Sequence, residues 1–226
     1  MTMRKRFGLG LGGFLVAFAI LFAGAAQVHC GEETAGAIQD EDAPGPGWTA
    51  LFNGEDLTGW KATGKAAWTV DHGCIVGRQG ANNAPGDLFT KEEFGDFELR
   101  LAFKMQWPAN SGVWFRYQAP NRSYQADILE YKNPVCYAGS LYCPGKMFLA
   151  LNENPDIVKR DQWNTMTILA QGDHLVVTLN GVVTADVHED SFKRGKIGFQ
   201  VHPGDQFKDM QIAVRKIFIR RLDPAK

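Results

Sequence analysis

One stretch of twelve residues, Asp96 to Trp107, limits the fold more than any other. Phe97, Leu99, Leu101, Phe103, Met105 and Trp107 alternate with Glu98, Arg100, Ala102, Lys104 and Gln106. Side chains on a strand point to opposite faces in turn, so a period of two places all six apolar groups on one face. A helix would scatter them around its axis. A strand of this length is not stable alone; it needs neighbours on both edges and a second layer over its apolar face.

The rest of the chain supplies those neighbours. Two short apolar runs in Ala67 to Gly77 flank Asp71-His72-Gly73, a hairpin signature that makes His72 a solvated turn residue. Gly80 to Gly86 reads as a loop before Leu88-Phe89-Thr90. Val113 to Tyr117 is a strand with Val113, Phe115 and Tyr117 on one face and Trp114 and Arg116 on the other. Tyr124 to Tyr131 is the next, with Gln125, Asp127 and Leu129 opposed to Tyr124, Ala126, Ile128 and Glu130. Lys146 to Lys159 has little pattern and reads as a loop. Trp163 to Gln171 and His174 to Asn180 alternate, and Asn180-Gly181 between LVVTL and VVTADV is the strongest hairpin signal in the chain. Gly195 to His202 follows, with Gln200 and His202 sharing a face and Gly198 leaving room for a ligand beside them. Met210 to Leu222 ends the pattern as two short strands whose phase slips near Arg215-Lys216. Nothing carries a 3.6-residue period. The fold class is all-β, a sandwich of two antiparallel sheets.

Residues 1–25 read as a signal peptide: Arg4-Lys5-Arg6, an apolar run from Leu9 to Phe22, then Ala23-Gly24-Ala25. Residues 26–47 form an acidic, Pro- and Gly-rich linker, and 48–226 the folded domain. This places the mature chain outside the cytoplasm, periplasmic or extracellular, with no membrane span after cleavage. Formal net charge is −1, and removing the three leading cations leaves 21 basic against 25 acidic residues. That balance excludes a nucleic-acid partner. An exported chain can form disulfides. Cys136 and Cys143 close the shortest loop and are the expected pair, while Cys30 is a position open to lipidation. No CxxC or HExxH motif provides a metal centre.

Polar groups gather between Asn110 and Cys143, amid plain sheet. Arg116, Gln125, Asp127 and Glu130 are the candidates there, with Gln200 and His202 facing them from a distant strand and Trp114 and Tyr142 as aromatic platforms. Strict alternation puts Asp127 and Glu130 on opposite faces, so they share one site only if the strand breaks near Leu129. The plainer alternative for Asp127 is an ion pair with Arg116.

Several stretches together resemble the 3-keto-disaccharide hydrolase family: LFNGEDLTGW, KEEFGDFELRLAFK, NSGVWFR, YQADI followed by GSLY, WNTMTILAQGDHLVVTLNGVV, and IGFQVHPGD with a terminal KIFIRRL. Many members show Glu-x-Gln-Ile-x-Asp where this chain has Gln125 to Glu130; the YQADI form exchanges amide and carboxylate. The resemblance implies a concanavalin-like jelly roll and a carbohydrate substrate. It also implies abstraction of the acidic C2 proton of a 3-keto glycoside, followed by loss of the C1 substituent. Such chemistry needs a base, a proton donor and a stabiliser of the enolate oxygen. The expected roles are Asp127 or His202 as base, Glu130 as acid, and Arg116 with Gln200, Gln125, Trp114 and Tyr142 holding the sugar. No cofactor is expected; a divalent metal on His202, Asp127 and Glu130 remains open. The rival reading is a non-catalytic carbohydrate-binding module of the same fold; a weaker one is a structural envelope protein.

Overall fold

A computed structural model describes Cys30 and residues 44–223. The signal-peptide assignment and most of the linker lie outside the described residues. The strands are β1 (Trp48–Ala50), β2 (Trp60–Gly64), β3 (Ala67–Asp71), β4 (Cys74–Arg78), β5 (Gly86–Thr90), β6 (Phe97–Gln106), β7 (Asn110–Ala119) and β8 (Arg122–Lys132). They continue with β9 (Val135–Tyr137), β10 (Leu141–Cys143), β11 (Met147–Ala150), β12 (Asn164–Gln171), β13 (His174–Leu179), β14 (Val182–His188), β15 (Lys196–Val201) and β16 (Gln211–Arg221). One sheet runs β14-β13-β12-β6-β16-β4-β3 with β1 on β16; the other runs β11-β10-β8-β7-β15-β5-β2 with β9 on β8. Every registered pair is antiparallel, and the two sheets form a jelly-roll sandwich.

The alternation of Asp96 to Trp107 is realised on β6, whose Phe97, Leu99, Leu101, Phe103 and Met105 are buried. Facing them from the other sheet are Val113, Phe115, Tyr124, Ala126, Ile128, Ile197 and Phe199. β6 is central in its sheet, between β12 and β16, which explains its length and regularity. Asn180 and Gly181 both take positive φ (52° and 84°), the type I′ geometry that an Asn-Gly hairpin favours.

Two bulges carry much of the architecture. The closing strand is one strand with a register shift between Arg215 and Phe218, where Lys216 has φ +51°; the phase slip in the sequence is this bulge, not a break between strands. The second lies on β7, where the register to β8 shifts between Phe115 and Ala119 and Arg116 has φ +47°. Met147 to Ala150, inside a segment read as a loop, is instead an edge strand paired with β10.

The cysteine expectation is overturned. Cys30 bonds Cys74, and Cys136 and Cys143 are free and buried. Cys136 and Cys143 lie on β9 and β10, which flank β8 at different places, and Cys136 makes its hydrogen bond to Ser140 Oγ instead. Burial pushes the Cys136 thiol up to about 11. Cys30, with its sulfur in a disulfide, is not open to thioether lipidation. It packs with Val76 and Ala213 on the back of the first sheet.

Candidate active site

A cavity of about 460 Å³ opens on the outer face of the second sheet, the face turned away from the core. Register fixes its floor. Trp114 lies opposite Gln125, Gly112 opposite Asp127 and Asn110 opposite Leu129 on β7 and β8. On the other side of β7, Gly198 lies opposite Trp114; across β15, Gln200 lies opposite Asp87 of β5. Asp87, Gln200 and Asp127 therefore point the same way from three strands, with Gly112 between the last two. His202, just beyond β15, approaches Asn110 through its backbone N–H and lines the same cavity.

Asp127 is the least comfortable group in the cavity. Its residue is 3% exposed, and among the described residues no side chain donates to its carboxyl or pairs with it. Its backbone is tied on both sides, donating to Ser140 O (2.9 Å) and accepting from Gly139 N–H (2.8 Å), so the main chain at Asp127 is fixed. Burial without compensation drives its pKa well above the usual carboxylate range. A raised pKa favours the protonated form, the form a general acid needs before it donates.

The opposite wall is arranged differently. Asp87 Oδ1 accepts from the indole N–H of Trp114 at 2.9 Å. Burial raises the Asp87 pKa, while the Trp114 bond and the neighbouring His202 imidazole oppose that rise. The Nδ1 of His202 stands 2.7 Å from Pro203 O. A carbonyl only accepts, so Nδ1 carries a proton and Nε2 is left as the open ring position. Gln79 donates to His202 O (2.7 Å) and Gly204 O (3.1 Å), which fixes the loop carrying the imidazole. Between the walls, Gln125 donates to Gln200 Oε1 at 3.0 Å, leaving the Gln200 amide N–H₂ free to donate. Asn110 donates to the Tyr131 hydroxyl, whose own proton is then free; burial and nearby Asp127 raise the Tyr131 pKa.

Of the expected residues, Asp127, His202, Gln125, Gln200, Trp114 and Tyr142 meet in this cavity. Arg116 and Glu130 do not. The β7 bulge turns Arg116 into the interior, fully buried, where it donates to Gly95 O, Gly172 O, Phe192 O and Asp96 Oδ1. The same bulge returns Tyr117 to the outer face beside Trp114, opposite to the alternation read from sequence. The Asp127–Arg116 ion pair is thereby excluded: Arg116 pairs with Asp96. β8 runs unbroken to Lys132, so Glu130 keeps the opposite face to Asp127 and pairs with Arg160 near Trp107. Gly198 opens no space for a ligand, because a Cβ there would meet the Phe89 ring at 2.3 Å. Gly112 is the glycine the floor needs: the Gln125 side chain lies where its Cβ would be, at 2.6 Å.

Asp87 and Tyr117 escaped the sequence reading. Asp87 carries a usable signal: in GDLFT it alternates with core-facing Leu88, so it shares the outer face with Phe89. Among the described residues no three His, Cys, Asp or Glu converge as metal ligands. The expected set of His202, Asp127 and Glu130 is divided, since Glu130 faces Arg160.

Comparison with known proteins shows the family and agrees with the fold. Residues 47–220 match the profile of the 3-keto-alpha-glucoside-1,2-lyase-like domain family. Over 78 residues the chain is 31% identical to a 3-keto-disaccharide hydrolase of Bacteroides thetaiotaomicron, covering 30% of this chain and 27% of that protein. The chain thus matches about a quarter of that relative's length. The fold is similar to the crystal structure of a candidate glycosyl hydrolase from Parabacteroides distasonis (TM-score 0.61, 20% identity, covering 82% of this chain and 98% of that one). It is also similar to a carbohydrate-binding module from Bacillus subtilis (TM-score 0.52, 16% identity, covering 73% and 96%).

Proposed function

The chain belongs to the 3-keto-alpha-glucoside-1,2-lyase-like domain family, and from that premise we propose that it cleaves 3-keto glucosides by elimination across C1 and C2, followed by hydration. The observation that carries this reading is the pairing of unlike walls. A buried Asp127, with no side-chain partner among the described residues, shares the cavity with the His202 imidazole and the neighbouring Asp87, over a floor of amides. An ordinary glycosidase needs two carboxyl groups, one of them a nucleophile or water-activating base. Elimination needs one base, one acid and a donor for the enolate oxygen.

His202 Nε2 takes the C2 proton, and Asp87 stabilises the imidazolium that results. The electron pair of the C2–H bond moves to the C3 oxygen, where the free Gln200 amide N–H₂ donates to it. The C1–O bond then breaks, and Asp127 gives its proton to the departing oxygen. Water adds at C1 and gives its spare proton back to Asp127 as His202 returns the abstracted proton to C2, so the net reaction is hydrolysis. Asp127 is thus the acid, not the base, and Glu130 has no part in it.

The Cys30–Cys74 disulfide supports export to an oxidising compartment. The test incubates purified protein with 3-keto and unoxidised glucosides, with and without chelator. Turnover of the 3-keto form alone is expected. Turnover of the unoxidised sugar overturns the mechanism, binding without turnover of either restores the carbohydrate-binding module, and loss of turnover with chelator brings in a metal.

A further inference from the structure

The mechanism uses one half of the cavity. The other half is built of different material. Along β8 the outward residues run Asp127, Gln125, Ser123, which at the rise of a strand puts Ser123 about 13 Å from Asp127. That is the distance of a second ring, not of the reacting one. Ser123 is 1% exposed, lines the cavity, and its Oγ has no hydrogen-bond partner among the described residues. A buried hydroxyl without a partner costs free energy unless something completes it.

The surroundings of that hydroxyl are mainly aromatic and aliphatic, with Asn121 beside them. Tyr117, Tyr142 and Phe148 supply rings, the last two packed edge to face at 5.7 Å. Pro120 and Pro144 close the sides. Met147 stands on the lip with 63% of its surface exposed and φ +66°, a costly posture for a large apolar residue at a tight turn. A thioether held there is suited to cover an aromatic ring, since sulfur packs well on ring edges. A second sugar ring would bring several hydroxyls against these walls and find one buried partner. A phenolic ring brings an apolar body and one hydroxyl.

We infer that the Ser123–Tyr142–Phe148 end of the cavity is a leaving-group subsite for a phenolic aglycone, closed by Met147, with Ser123 Oγ bonding the ring hydroxyl. This rests on the elimination reading, because the substituent expelled from C1 must occupy that end. It narrows the substrate class to aryl 3-keto-glucosides.

The test compares kcat/KM for 4-hydroxyphenyl 3-keto-glucoside, a 3-keto disaccharide and methyl 3-keto-glucoside, in the natural protein and in Ser123→Ala and Met147→Gln. Hydroquinone binding, read by quenching of tryptophan fluorescence, is followed in parallel and needs no turnover. Thermal melting checks that both variants fold. The aryl substrate is expected to lead, and its ratio to the methyl substrate to fall roughly three- to tenfold in Ser123→Ala, the worth of one hydrogen bond. Hydroquinone affinity should fall by the same factor. A leading disaccharide whose advantage both variants erase would make this end a glycosyl subsite and overturn the inference, as would ratios that neither variant moves. If no 3-keto glucoside turns over, the elimination reading fails. The leaving-group role then falls with it, and hydroquinone alone judges what remains: weaker binding in Ser123→Ala upholds a phenol site at this end, and no binding to the natural protein removes that too.

Discussion

Arg116 and Asp127 lie on neighbouring strands, are both buried, and are treated in opposite ways. Arg116 donates from all three nitrogens of its guanidinium, to three carbonyls and the Asp96 carboxylate. Burial still lowers its pKa, with Asp96 opposing. Asp127 has a tied backbone and, among the described residues, no partner at its carboxyl. A buried charge with a full set of partners is fixed in place and joins strands together; a buried acid with none has free energy to gain from a ligand. The first is how this fold holds its sheets in register, and the second is how it marks its site. A buried ionisable residue is therefore read by its partners, and burial alone does not separate the two cases.

The largest expected effects come from exchanging these fates. Asp127→Asn should lower kcat on a 3-keto glucoside about 10²- to 10⁴-fold, the usual contribution of a general acid, with melting temperature equal to or above that of the natural protein. Arg116→Met should do the reverse. It removes the cation beside Asp96 and leaves three carbonyls without their donor, at about 3–5 kcal/mol, while kcat per folded molecule stays near its natural value. Calorimetry with a turnover assay on the same preparations checks both. A catalytic defect in Arg116→Met at unchanged melting temperature would break the contrast.

The disulfide is next in size. Cys30 and Cys74 are 44 residues apart, and cross-linking over such a loop is worth about 2–4 kcal/mol. Cys74→Ser should lower the melting temperature accordingly, whereas Cys136→Ala and Cys143→Ala should act through core packing alone. Alkylation of unfolded, unreduced protein checks the pairing directly: two thiols should react, on the peptides bearing Cys136 and Cys143. Labelling of Cys30 would contradict it.

Much of this was legible beforehand, and what was missed has two causes. Regular alternation foretold β6, the Asn180-Gly181 hairpin and the shared face of Gln200 and His202, because a period of two survives wherever pairing is regular. It also placed Gln125 and Asp127 together. It failed at Arg116, where a non-glycine residue with positive φ inserts a bulge and exchanges the faces of Arg116 and Tyr117. Bulges at glycine leave a mark in the sequence; this one does not. Asp87 was missed for another reason. Its meaning lies in strand order, which sets β5 beside β15, and local pattern does not contain strand order. The cysteine pairing failed likewise: a short loop is cheap to close, but Cys30 and Cys74 are the pair that the sheet brings together.

A titration would sharpen the contrast further. Burial raises the Asp127 pKa above its unfolded value, so the native state holds a proton that the unfolded state releases first. Stability from this group is therefore complete below the unfolded carboxylate pKa and falls as pH rises toward the raised native pKa. Asp127→Asn should remove that fall. Its stability advantage, on the order of 1–3 kcal/mol, should be present near neutral pH and vanish in acid. Urea titrations at a series of pH values measure this, and a difference independent of pH would mean that Asp127 has a partner in solution.

Glu130 supplies the smallest effect and the closest control. It lies three residues from Asp127 on the same unbroken strand, but on the other face, and bonds Arg160 where solvent reaches both. Exposed pairs of this kind contribute about 0–1 kcal/mol. Glu130→Gln should therefore leave kcat/KM within about twofold and lower stability by no more than that amount. The paired measurement with Asp127→Asn decides whether alternation along β8 is kept in solution. If Glu130→Gln abolished turnover while Asp127→Asn did not, the strand would have to break after Ile128, and the acid of the reaction would lie on the other side of the sheet.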